Sequence, residues 1–405
     1  MTDRSGFRSN TFSETMLGLQ YATTPDRPAD LFSQACVEQY EQADPRFFGY
    51  LFAQVFEPNV LHEVALLEGV PYSSLRELGH RPTPAMARLA ESAGNAADLP
   101  VVGLVNVAAA LISVSRFDLA VDLLGQAERR AGEPRERFEI AMLEFIVANR
   151  RDDGTGSPRA FLGMRRAIET GAVPADRAID ACTQAVVWFM KRRELPEAEF
   201  AWYLETGKAL AAAPAALDPA SLSSWYRGLA MVPAAEGSVA ETRRYMRYAQ
   251  EAADETYSRR PRAYELHFMK TYHESTMKEH MYLTGDRDGA EEAGHALIAL
   301  DPVWSVSHGE LAEAYVRFGR IREAAESYER AVAAGPPYVG HHLLHAARCH
   351  EKLGNRDRAL EHYLALSELA RDDESVLRAG LDLAQDGPAT SRTHFERALA
   401  RLGNG

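Results

Sequence analysis

The chain has 405 residues, enough for two or three compact domains or one long repeat array with a sizeable core. Its 46% hydrophobic and 25% charged residues argue against wholesale disorder, and a formal charge of -13 argues against non-specific attraction to nucleic acid or anionic lipid. Signal-peptide and membrane-spanning apolar runs are both lacking, which gives the expectation of a cytoplasmic protein, and the three scattered cysteines, Cys36, Cys182 and Cys349, suggest no disulfide framework and no paired-cysteine zinc site.

Residues 1–98 read as a helical N-terminal region, with 1–30 expected to be partly disordered. Within it Val64, Ala65, Gly69, Val70, Leu75 and Leu78 resemble the helix-turn-helix pattern of DNA-binding regulators. In that pattern alanine permits close helix contact, glycine makes the turn and the later apolar residues pin a recognition helix, here carrying Tyr72, Ser73, Ser74 and Arg76. Glu68 and Pro71 depart from the pattern, and residues 1–100 hold 7 basic against 13 acidic side chains, so an ordinary helical hairpin accounts for the same residues.

Residues 99–260 keep helical periodicity without strand-like alternation. The pattern predicts helix pairs over 101–130, joined at 113–117, and over 135–170, 178–212 and 219–257. Ala120, Leu124 and Ala127 echo the small-residue spacing of clearer repeats downstream, so the segment reads as degenerate hairpins.

Over residues 261–405 a repeat emerges. Ala290, Ala324 and Ala359 recur at 34 and 35 residues, each five residues after a glycine: Gly285, Gly319 and Gly354. The unit starting at Ser305 carries Leu311, Ala312 and Tyr315 on its first helix, Ala324, Tyr328 and Ala331 on its second, and closes at Pro336. The next has Leu343, Ala346, Ala347, Gly354, Ala359 and Tyr363, with His350 in place of the first-helix tyrosine. A looser unit precedes them from Thr271, closed by Pro302, and the segments 374–384 and 390–402 read as a capping pair. These residues resemble the tetratricopeptide repeat, most clearly over 271–371, with His308 replacing the early tryptophan. The resemblance implies an all-α chain, a right-handed α-solenoid of tetratricopeptide-like hairpins.

It also implies a binding or adaptor role without a cofactor, in which first-helix residues line a concave groove for a peptide or protein segment. The register places Tyr272, Glu279 and Tyr282, then Glu313 and Arg317, then His341, Arg348, Glu351 and Lys352 along that groove. The lysine and asparagine set of the chaperone-binding carboxylate clamp is missing. A cationic run, Arg243, Arg244, Arg247, Arg259, Arg260 and Arg262, interleaved with tyrosines, is a candidate anion-binding patch set against the simpler reading of a solvated helical face. His341, His345 and Cys349, four residues apart on one helical stripe, form a candidate metal trio, although in the repeat register Ala346, Ala347 and His350 take the packing positions, leaving His341 nearer the concave face and His345 toward a neighbouring helix. His273, Met277 and His280 share a face without the spacing of a zinc peptidase, and no phosphate loop, nucleophile elbow or kinase signature is present. Two other classes compete with the adaptor: a helix-turn-helix regulator with a repeat sensor for a peptide or small ligand, and a metal-dependent enzyme on a helical-repeat scaffold.

Overall fold

A computed structural model describes residues 95–113, 117–150, 156–259, 263–302, 305–334, 339–369, 373–385 and 387–403. The helix-turn-helix-like segment 64–78, with the rest of 1–94, lies outside the described residues, as do Arg260, Arg262 and Pro336. Among the described residues there are sixteen α-helices and no strand. They are α1 (Val101–Ser113), α2 (Phe117–Arg130), α3 (Pro134–Arg150), α4 (Gly156–Glu169), α5 (Ala175–Arg192), α6 (Glu197–Ala211), α7 (Pro219–Ala235) and α8 (Val239–Arg259), followed by α9 (Ala263–Glu279), which runs into a π turn at His280–Thr284. Then come α10 (Arg287–Leu300), α11 (Ser305–Arg317), α12 (Ile321–Ala334), α13 (Val339–Lys352), α14 (Arg356–Leu369), α15 (Glu374–Ala384) and α16 (Ala389–Leu402). The helix pairs expected from the sequence stand within a few residues of their predicted limits. The largest difference is α9, which begins at Ala263 rather than Thr271, with Leu266, His267, Phe268 and Lys270 buried upstream of Thr271.

Compactness divides the chain between Gly285 and Asp286. In the N-terminal unit successive helices pack as antiparallel neighbours, and first helices also touch first helices, α1 with α3, α5 with α7 and α7 with α9. That is how a repeat stack buries hairpins that could not bury their own apolar faces. Large aromatics fill its core: Phe145 lies 4.7 Å from Phe161 and edge-on to Trp188, and Tyr203 donates its hydroxyl to the Phe161 carbonyl at 2.5 Å. Gly207 meets the Trp225 ring so closely that a Cβ would stand 2.2 Å from it.

In the C-terminal unit α11 to α16 pack each on the next. Alanine at 324 lets α12 approach α11, where Leu311, Ala312, Tyr315, Ala325, Tyr328, Ala346 and Cys349 make one apolar cluster. Leu343, Ala347, Leu360, Tyr363, Leu377 and Phe395 make the next, so the last hairpin caps the stack with buried Phe395 and leaves Arg392, Glu396 and Arg401 wet. The turns follow one rule. Gly319 and Gly354 adopt φ of 75° and 74°, and the following N–H reaches back to the carbonyl five residues earlier, from Arg320 to Tyr315 and from Asn355 to His350. This closes the orphan carbonyls of the first helix in a left-handed cap that glycine adopts without strain.

Candidate functional site

The first helices of the two clear repeats carry the richest chemistry. On α13 the i, i+4 spacing brings the His341 and His345 rings to 4.2 Å, and His345 stacks on Tyr328 of α12 at 5.3 Å. Burial pushes the His341 imidazole down to about 4, helped by neighbouring His345 and Arg348 and opposed by Glu313 on α11. Burial likewise lowers His345, which feels Arg348, Glu313 and Lys352. The Glu313 carboxylate of α11 thus opposes the lowering of both imidazoles. Arg317, Arg348 and Lys352 are exposed beside it, while Glu313, His341 and His345 are half-buried.

His342 is buried among its neighbours His341, His345 and His308, and burial holds it well below the ordinary imidazole range. Its ring lies over Gly309, where a Cβ would come to 2.5 Å from Nε2. The small residue in α11 thus makes room for an imidazole from α13.

Not all expected groove residues share this face. The Glu351 carboxylate accepts the Tyr363 hydroxyl of its own hairpin at 2.7 Å, so this residue ties α13 to α14. Tyr272, Glu279 and Tyr282 belong to the N-terminal unit. There Glu279 is ion-paired with Arg243 at 2.7 Å, the Tyr272 ring stands 5.2 Å from that of His273, and Tyr282 is 56% exposed on the π turn.

The four described arginines of the cationic run each lie beside a carboxylate. Arg244 meets Glu241 at 3.0 Å, Arg247 meets Glu251 at 4.0 Å and Arg259 meets Glu255, all within α8, and Arg243 meets Glu279. Such exposed pairs are worth little individually, yet they offset most of the charge that a ligand phosphate would feel.

Cys349 packs in the apolar cluster of α11 and α12, and burial raises its thiol. Among the described residues, one group of three ligand atoms within 4.8 Å of one another has the geometry for a metal, and it consists of Glu329, His350 and His362. Here the Nε2 atoms of His350 and His362 lie 3.0 and 3.1 Å from Glu329 Oε1, and Arg358 Nη2 donates to the same oxygen at 2.6 Å. Burial alone would raise the Glu329 carboxyl, but the bonds from His350, Arg358 and His362 outweigh it and hold it below its ordinary value. With a guanidinium already on that oxygen, the cluster is neutralised from within and serves as a polar clamp joining α12, α13 and α14. The sequence placed His350 at a packing position but gave no sign of its partners, which come from two other helices.

Residues 307–337 and 343–377 match the tetratricopeptide-repeat family model, so this part of the chain is a pair of tetratricopeptide repeats. No curated protein matches the sequence. Solved structures with similar helical outlines include a human IFIT1 dimer with PPP-AAAA, at a TM-score of 0.46 and 14% identity, covering 89% of this chain and 95% of that one. A second is a signal-transduction ATPase with numerous domains and a tetratricopeptide repeat sensor from Pyrococcus horikoshii, at 0.42 and 10%, covering 99% and 66%. A third is the APC/C hetero-tetramer Cut9–Hcn1, at 0.27 and 13%, covering 97% of each chain.

Proposed function

We propose that the tetratricopeptide repeats of the C-terminal unit bind an extended segment of another protein on the face shared by α11 and α13. The observation that carries this reading is the packing of α11 on α13, with the His342 ring over Gly309 and Leu311, Ala312, Ala346 and Cys349 in one apolar cluster, which sets the first helices of two repeats side by side. Arg317, Arg348 and Lys352 give that surface a cationic bias, and the two imidazoles supply flat contact area with few rotatable bonds. An acidic peptide lying across the two helices would pair its carboxylates with the arginines and seat an apolar side chain against the imidazoles.

The test is affinity purification with the chain as bait, wild type beside R317A/R348A. Both arginines are exposed, so the double variant is expected to melt within a few degrees of wild type, each substitution costing no more than about 0.5 kcal/mol. A protein retained by wild type is expected to be lost from the variant. Equal retention by a folded variant moves the binding surface elsewhere.

A further inference from the structure

The N-terminal unit holds a cavity of about 400 Å³ whose wall is formed by α5, α7, α8, α9 and the π turn. Its apolar lining includes Met190, Met231, Met246 and Leu283. Methionine is unbranched and adaptable, so such a wall can accept apolar groups of differing shape. The volume is in the range of small-molecule sites, about 300–1,000 Å³.

Among the charged side chains that line the same cavity are Arg227 from α7 and Glu274 from α9. Both are half-buried, and neither has a hydrogen bond or an ion pair within 4.0 Å among the described residues. Burial pushes the Arg227 guanidinium below its ordinary value, and Glu274 offsets part of that effect from across the space. Other partly buried arginines of this unit behave differently: Arg177 is held by Glu139 and Asp180, and Arg165 by Glu199 and Glu169. A guanidinium and a carboxylate partly withdrawn from bulk water and left apart are an electrostatic cost that the fold recovers only in part. Side chains held at such a cost collect where a ligand supplies the missing partners. Lys191 and Lys278 also line the cavity and add positive charge to it, and Glu279 there pairs with Arg243. Tyr282 and Leu283 reach the cavity from the π turn that ends α9 at Gly285.

We infer that this cavity binds a small zwitterion with an apolar body, of the amino-acid or short-peptide class, its carboxylate on Arg227, its ammonium toward Glu274 and its side chain among the methionines. The planar guanidinium matches a carboxylate through two parallel hydrogen bonds, and the lone carboxylate opposite selects for an amine over a second acid. The site is independent of the repeat face, since its residues lie in the other unit.

Calorimetric titration of the full chain tests this with L-leucyl-L-leucine, its N-acetyl derivative and its C-terminal amide. The unmodified dipeptide is expected to bind tightest, each blocked form at least tenfold more weakly. R227M is expected to weaken the unmodified and acetylated probes at least tenfold and leave the amide unchanged; E274Q is expected to weaken the unmodified probe and the amide and leave the acetylated form unchanged. R227M should also melt no lower than wild type, because it removes a half-buried charge that Glu274 balances only in part. The inference is overturned if R227M melts markedly lower, which makes Arg227 structural. It is equally overturned if the two variants bind all probes as wild type does, or if none of the three, nor free L-phenylalanine, binds with a Kd below about 1 mM.

Discussion

At the scale of the residue, the histidines of α13 set a pH dependence whose sign follows from their surroundings. His341, His342 and His345 are all depressed chiefly by burial, with His308, Arg348 and Lys352 adding repulsion and Glu313 opposing it. In the unfolded chain each takes its proton near pH 6.5, whereas in the folded chain His341 takes it only near 4. Between those values the unfolded state binds more protons, so the stability these groups contribute is fully present above pH 6.5 and is lost as pH falls toward 4. The urea midpoint is expected to drop across that window, and H342L should flatten the dependence. A midpoint unchanged from pH 7 to 4.5 would show that the three imidazoles are not buried as described.

At the scale of the element, each clear hairpin depends on one small residue and one glycine turn. Ala324 is fully buried where α12 crosses α11, beside Leu311 and Tyr328. Replacing it with phenylalanine forces the two helices apart and is expected to cost about 1–3 kcal/mol, read from chemical denaturation. E326A on the exposed side of the same helix should change stability by no more than about 0.5 kcal/mol. Similar costs at both positions would place the inward face of α12 wrongly. The α7–α8 hairpin uses the same turn: Gly237 adopts φ of 76° and Ser238 reaches back to the Pro233 carbonyl, while buried Thr242 takes the small-residue position five residues after the glycine. A threonine there hides the period of this hairpin from the alanine pattern of the clear repeats.

At the scale of the whole molecule, charge sets the expectation. With 45 basic against 58 acidic side chains, and the arginines of α8 each beside a carboxylate, the chain presents no extended cationic track for a phosphate backbone among the described residues. Neither a DNA duplex nor an oligoadenylate RNA is therefore expected to shift in a gel at low ionic strength. A complex that weakens with salt would overturn this, and its loss in R76A would assign it to residues 64–78. No described helix is long and apolar enough to cross a membrane.

The sequence by itself determined the all-α class, the hairpin limits and the register of residues 305–384, because small residues and turn glycines at a fixed period act locally, through helix approach and left-handed caps. It also ranked Ala346, Ala347 and His350 as packing positions, which they are. Only the tertiary structure decided which charged groups meet. Glu329 joins His350 and His362 from 21 and 33 residues away, Glu351 turns to Tyr363, and Arg227 and Glu274 face one cavity across 47 positions of sequence. Periodicity assigns a side chain to a face of its own helix, but the partner across that face depends on how the neighbouring helices are rotated and spaced, and that is fixed by packing of the whole stack.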